Sequence, residues 1–209
     1  MFIKKVNYLY KFLIIFFLIL PINISRAEFF KDISNIITIN ENRLSYGVSV
    51  TDINSDGNNE FIVTGFGYPN LALSYIDGKL KNIIQEEIFL DRDRKTIGVA
   101  ACDLDKDGFE EIYFLNTDTY SGTKKYSDRL IDKNNNNFFD LFELKKNREN
   151  LNLTAGRSVV CVDRKGDGEY GIYVANYGGP TRFYEIENNK IVDKAENLNL
   201  DKVTGGRAV

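Results

Sequence analysis

The stretch Asp103-Leu-Asp-Lys-Asp-Gly-Phe-Glu-Glu111 decides how the chain is read. Carboxylates stand at alternate positions Asp103, Asp105 and Asp107, Gly108 follows the third, and Glu111 comes four residues after Asp107. All-oxygen donors at this density suit a hard cation, and calcium is the usual one. The runs Thr96–Cys102 and Ile112–Leu115 on either side have the length and apolar character of strands, so the unit is strand, acidic turn, strand.

The unit recurs. Asp52-Ile-Asn-Ser-Asp-Gly-Asn-Asn-Glu60 matches it position for position with Asn54 in place of Asp105, and Asp163-Arg-Lys-Gly-Asp-Gly-Glu-Tyr-Gly171 keeps only Asp163, Asp167 and Gly168. The lead-in runs Tyr46–Thr51, Ile97–Cys102 and Arg157–Val162 align without gaps, and after their first residue all are small or β-branched. Such strands can pack closely around a narrow axis. Behind each turn another strand follows, at Phe61–Thr64, Ile112–Leu115 and Ile172–Ala175. The first unit continues through a turn at Gly67–Asn70 into Leu71–Tyr75, a hairpin turn at Asp77-Gly78, and Leu80–Ile83. The third continues through a turn at Tyr177–Pro180 into Thr181–Ile186, a turn at Glu187–Asn189, and Lys190–Val192. Four strands in roughly 50 residues is the size of one propeller blade.

The second unit is longer. Residues 118–137, with Ser121-Gly122 and the run Asn134–Asn137, read as a surface loop or partly ordered insertion, after which Phe138–Phe142 resumes as a third or fourth strand. Thr204-Gly-Gly-Arg-Ala-Val209 repeats Thr154-Ala-Gly-Arg-Ser-Val159, so a further unit is expected to begin there, and the chain reads as a fragment of a larger protein or one that needs another chain beside it. The fold class is therefore all-β, a partial propeller of about three four-stranded blades over residues 28–209 plus the start of another.

A loop curling round one point brings alternate side chains together. The second copy offers Asp103, Asp105, Asp107, the Phe109 carbonyl and Glu111 as calcium ligands; the first offers Asp52, Asn54, Asp56, the Asn58 carbonyl and Glu60, with weaker binding expected for one charge fewer. Gly108 permits the sharp turn and, if it lies at positive φ, meets no Cβ penalty. In the third copy Lys165 and Gly171 replace two ligands, so the lysine is expected to stand in for a cation and the loop to hold no metal. A helix-flanked calcium loop is excluded because its twelfth position falls here on Val63, Phe114 and Val174, each inside a strand-like run.

Residues 1–27 read as a cleaved secretory signal: Lys4, Lys5 and Lys11, an apolar run Phe12–Leu20, Pro21, and Ser25-Arg-Ala27. Its removal deletes four positive charges with Arg26, moving the formal charge from -3 to -7. The mature chain is then secreted, periplasmic or surface-bound, has no stable transmembrane segment, and is too acidic to suit nucleic acid. With no histidine in the chain, histidine-ligated zinc and histidine general-base chemistry are excluded. Cys102 and Cys161 sit one and two residues before their leading aspartates, so they leave opposite faces of equivalent strands, and two buried free thiols are expected rather than a disulfide.

On the two Asp-x-Asp/Asn-x-Asp-Gly-x-x-Glu turns, on Ala155-Gly-Arg-Ser-Val159 and on Tyr173-Val-Ala-Asn-Tyr-Gly-Gly-Pro180, the chain resembles the FG-GAP/VCBS repeat family, and within it the cartilage acidic protein 1-like secreted proteins, many of which carry an ASPIC/UnbV segment. The resemblance covers about residues 45–209 and implies an extracellular calcium-containing β-propeller, a scaffold or an interaction and adhesion module for protein or carbohydrate. It implies the calcium ligands named above, and further blades beyond Val209. Lys165 and Gly171 depart from the pattern. The alternative is a polysaccharide lyase or hydrolase, or a domain fused to one, with Asp118, Asp128 and Asp132 as carboxylates and Tyr120, Tyr126 and Arg129 framing a sugar. In a third reading the blades only pack against the rest of a larger protein.

Overall fold

Each acidic turn joins two antiparallel strands, and the register runs from the turn outward: Thr51 opposite Glu60, Cys102 opposite Glu111, Val162 opposite Gly171. The computed structural model describes residues 30–134, 137–205, 207 and 209. The chain divides into two units, 1–33 and 34–209; the first, with the expected signal, lies almost wholly outside the described residues. Among the described residues no helix is long and apolar enough to cross a membrane.

Three antiparallel sheets follow in chain order. The first holds β1 (Val48–Thr51), β2 (Glu60–Val63), β3 (Leu71–Ile76) and β4 (Lys79–Asn82). The second holds β5 (Thr96–Cys102), β6 (Glu111–Asn116), β7 (Arg129–Asn134) and β8 (Asn137–Asp140). The third holds β9 (Gly156–Val162), β10 (Gly171–Pro180), β11 (Arg182–Glu187) and β12 (Lys190–Asp193), and β13 (Val203–Gly205) pairs with the far end of β10. Two outer hairpins close as two-residue turns with both residues at positive φ, Asp77 and Gly78 (52° and 76°) and Asn188 and Asn189 (51° and 57°), the geometry that matches strand twist. One helical turn, α1 (Glu87–Leu90), buries Phe89 and Leu90.

Sheets stack face to face through alternating side chains. Val99, Ile112, Phe114 and Ile131 of the second sheet form a core with Ile62, Ala72 and Phe89 of the first repeat. Tyr113, Leu115 and Leu130, from the opposite face of the second sheet, form a core with Ile172, Val174 and Tyr184 of the third. The first strands lie side by side, β1 by β5 and β5 by β9. The approach is close: a Cβ on Gly47 would come 2.9 Å from the Gly98 Cα, and one on Gly98 would come 3.2 Å from a Val159 methyl. The small residues of the lead-in strands serve this contact.

Three expectations are corrected. Cys102 and Cys161 are not free thiols; they form a disulfide with Cα atoms 6.3 Å apart. The reason is the stacking itself, since the face one sheet turns to its successor meets the opposite face of that successor. Opposite faces therefore bring the two sulfurs together. Second, residues 118–137 are not a single loop, because Arg129–Asn134 is β7, paired with β6 and, through Asn134 and Asn137, with β8. Its polar look hides a strand whose Leu130 and Ile131 are buried on opposite faces by the flanking sheets. Third, Tyr177–Pro180 is not a turn but the extension of β10, held by pairing with Val203 and Gly205.

Candidate metal centre

The three acidic loops share one backbone. The fourth residue of each is at positive φ (Ser55 66°, Lys106 66°, Gly166 72°), and so is the sixth (Gly57 85°, Gly108 93°, Gly168 80°). The leading aspartate accepts the N–H of that sixth residue in every copy: Gly57 to Asp52 at 2.8 Å, Gly108 to Asp103 at 3.1 Å, Gly168 to Asp163 at 2.9 Å. A further N–H reaches it in each loop, from Asp56, Lys106 or Gly166. The leading aspartate thus holds the turn's shape through backbone N–H groups alone.

The ninth residue divides the loops. Glu60 and Glu111 open β2 and β6 with buried side chains, and each accepts the N–H of the second loop residue through Oε2, Ile53 at 3.1 Å and Leu104 at 2.6 Å. In both, the buried Oε1 meets no hydrogen-bond donor among the described residues. Burial pushes the Glu111 carboxyl up to about 8, with the Asp105 and Asp132 charges adding to it. Glu60 is also raised by burial, partly offset by the Ser74 hydroxyl and the Ile53 N–H.

In the second loop, carboxylate oxygens of Asp103, Asp105 and Glu111 lie within 4.8 Å of one another. Asp107 stands outside that trio; its Oδ1 accepts the Phe109 N–H at 2.8 Å. In the first loop Asn54 donates its amide to Asp56 at 3.0 Å and accepts the Asp56 N–H at 3.0 Å, so the amide braces the aspartate in place of a charge. Asp56 is held low chiefly by the Asn58 N–H and then by the Asn54 amide.

The FG-GAP-like repeat family matches residues 30–114, which include the first two loops. This part of the chain is FG-GAP-like. It is 42% identical over 194 residues to cartilage acidic protein 1 of Xenopus tropicalis, covering 81% of this chain and 30% of that protein. It is likewise 42% identical over 194 residues to the Homo sapiens protein of that name, covering 81% of this chain and 29% of the relative. The chain thus spans under a third of the curated relatives it matches.

The third acidic loop lacks the buried glutamate. At Gly171 a Cβ would come 2.6 Å from the Phe183 ring, which already fills the space next to the strand. Lys165 lies 2.8 Å from Glu169 and 4.0 Å from Asp167, and Lys106 of the second loop reaches Glu169 at 2.9 Å. Glu169 is drawn down to about 2, by Lys165 first and Lys106 next. Two lysines thus neutralise the exposed carboxylate of this loop.

One carboxylate escaped the loop pattern. Asp132 leaves β7, two residues after the buried Leu130, and is raised to about 6 by burial and by the charges of Asp105 and Asp107. Its place beside the second loop follows from strand pairing, since Ile131 stands opposite Ile112, the residue after Glu111. No local spacing could have revealed it.

The carboxylates considered for glycoside chemistry are otherwise engaged. Asp118 accepts the N–H groups of Lys125 and Tyr126. Asp128 is fully buried, ion-paired with Lys124 and accepting from Tyr113 Oη at 2.7 Å and Asn152 at 2.6 Å. Arg129 is tied to Asp91, Asp140 and Glu143. Tyr126 lies under the Arg94 and Lys125 cations. Of that set only Tyr120 presents an open face.

Proposed function

We propose that the protein is an exported calcium-binding β-propeller module that acts as a scaffold or interaction surface for protein or polysaccharide, not as a catalyst. The observation that carries the metal reading is the buried Oε1 of Glu111, which meets no donor among the described residues and belongs to the cluster of Asp103, Asp105 and Glu111; Glu60 holds the same position in the first loop, with the Ser74 hydroxyl beside it. A buried carboxylate oxygen without a partner is costly, and a cation is the partner this donor set suits. Asp103, Asp105, Asp107, the Phe109 carbonyl and Glu111 would hold one Ca2+, with Asp132 close by. Asp52, Asn54, Asp56, the Asn58 carbonyl and Glu60 would hold a second. Bound there, the ion supplies charge neutralisation and order in the loops, and no chemistry on a substrate is asked of it.

The radial arrangement has its own support. Positions that are covered in the second sheet lie open in the first: Val48 is 62% exposed where Val99 is 8%, and Phe61 is 43% exposed where Ile112 is 2%. This is the face by which the second and third sheets receive their predecessors, and further blades of the same chain are its natural cover. Export follows from residues 1–27 as a signal sequence. Calorimetric titration of the mature protein tests the metal reading: two calcium sites are expected, one lost in Glu111→Gln and the other in Glu60→Gln. No binding at millimolar calcium overturns it.

A further inference from the structure

The ends of the first strands remote from the acidic loops open onto a cleft of about 660 Å3. Tyr46, Ile97, Arg157 and Arg207 line it, and these four occupy one equivalent position in successive repeats. It is the residue just before the small, close-packed part of each lead-in, the one place in the lead-in where the repeats do not share a residue type. Packing holds its neighbours to small side chains, whereas this position varies from phenol to alkyl to guanidinium. Ile97 leans on the core between the second and third sheets, whereas Tyr46, Arg157 and Arg207 turn this rim of the stack into a surface for a ligand.

Charge narrows the ligand. Lys95, Arg157 and Arg207 converge on the cleft, and among the described residues no carboxylate lies within ion-pair distance of any of them. The one carboxylate in the lining, Asp118, is taken up by the N–H groups of Lys125 and Tyr126. The cations rest on aromatic faces: Arg157 lies 5.5 Å from the Tyr120 ring and 5.4 Å from Tyr177, Arg207 lies 6.0 Å from Tyr177, and Lys95 lies 5.5 Å from Phe66. Arg157 is further fixed by the Thr117 hydroxyl at 3.1 Å and the Tyr120 carbonyl. With Nη1 also donating to the Gly156 carbonyl at 2.9 Å, the guanidinium is held in one orientation and keeps its charge facing the cleft without a carboxylate partner among the described residues.

Shape narrows it further. Tyr46 and Tyr120, 60% and 67% exposed, stand at the rim. Each is steadied by an edge-on aromatic partner, Phe66 at 5.4 Å and Tyr177 at 5.3 Å. Rigid, exposed phenol faces beside hydroxyl groups suit the flat apolar face and the rim hydroxyls of a pyranose. We propose that this cleft binds an anionic sugar of an acidic polysaccharide, its carboxylate or sulfate held by Arg157 and Arg207 and its ring stacked on Tyr46 or Tyr120. The inference rests on the interaction-module reading above and names the ligand class and the site.

The test is calorimetry in calcium-containing buffer with four probes: oligogalacturonate, a heparin oligosaccharide, neutral dextran and a hexaglutamate peptide. Binding of one or both anionic sugars is expected, the two arms telling carboxylate from sulfate, with dextran and hexaglutamate at least about tenfold weaker. Arg207→Gln, Lys95→Gln and Tyr46→Ala touch few internal contacts and should each weaken the sugar about tenfold, leaving calcium binding unchanged. Absence of sugar binding at millimolar concentration, affinity indifferent to these substitutions, or hexaglutamate bound as tightly as the sugars overturns the proposal. Calcium binding measured on the same samples separates this failure from failure of the module itself.

Discussion

The second and third acidic loops have the same backbone, the same caged leading aspartate and the same pair of positive-φ residues, yet they balance their charge in opposite ways. In the second, burial pushes Glu111 up to about 8 and leaves one of its oxygens without a donor. In the third, the buried glutamate is replaced by Gly171 against the Phe183 ring, and two lysines hold Glu169 down at about 2. One of those lysines is Lys106, which belongs to the second loop and spends its charge on its neighbour. The turn geometry therefore does not by itself imply a metal. What divides the two loops is the residue that opens the following strand, Glu111 in one and Gly171 in the other.

The two loops are also stapled together, because the disulfide joins the strand ends just ahead of them. It links residues 59 apart in sequence, and closing a loop of that size restricts the unfolded chain by about 4 kcal/mol on the chain-entropy account. The double substitution Cys102→Ala and Cys161→Ala is accordingly expected to lower Tm by roughly 8–16 °C by scanning calorimetry. The drop should be larger without calcium, since the cation then no longer orders the second loop. An unchanged Tm would mean that the stacked cores alone align the two loops.

Next in size is the cation. Calcium at about a hundredfold over its Kd stabilises by about 2.7 kcal/mol, or roughly 5–11 °C in Tm. Glu111→Gln should abolish most of this shift, Glu60→Gln a smaller part, and any substitution in the third loop none. A calcium-dependent shift that survives loss of both glutamates breaks the comparison, because the opening residue of the strand would then not be the deciding one.

Much of this was legible in the chain because it is local. Alternate aspartates, a glycine at positive φ and a strand on each side carry their meaning within nine residues, and the register of all three hairpins follows from them. The disulfide was not legible in that way. Cys102 and Cys161 do point to opposite faces of equivalent strands, but stacking makes opposite faces of successive sheets neighbours, so the same observation argues for the bond once the stack is known. β7 was missed since a strand covered on both sides loses its alternation, and Lys133 and Asn134 make it look like a loop. Asp132 and the Phe183 ring beside Gly171 reach their loops only through pairing with the next strand, outside the nine-residue pattern.

A gentler test is pH. Glu111 has its folded value raised to about 8 from the ordinary 4.5, so the cation-free folded protein binds more protons than the unfolded chain between those values. Its contribution to stability is fully present below about 4.5 and is lost as pH rises through about 8. Calcium takes the ionised form, so binding near pH 7 should release close to one proton from the second loop, and affinity should rise up to about pH 8. Calorimetry in buffers of different ionisation enthalpy measures the release. The third loop, whose Asp163 is lowered by N–H donors led by Gly168, should show no such dependence at neutral pH.

The smallest effect is expected where the lysine stands. Lys165 is exposed and pairs with exposed carboxylates, so Lys165→Met should move Tm by no more than about 2 °C. Lys165→Asp is the sharper version, because it restores the alternate carboxylates Asp163, 165 and Asp167 and leaves only the ninth position wrong. If the ninth residue decides, calcium stoichiometry stays at two in this variant. Adding Gly171→Glu alone cannot help, since its Cβ would stand 2.6 Å from Phe183. Only with Phe183→Ala as well should a third site begin to fill. A third equivalent of calcium taken up by Lys165→Asp by itself would show that the exposed aspartates suffice, and that the buried glutamates of the first two loops serve the strand rather than the ion.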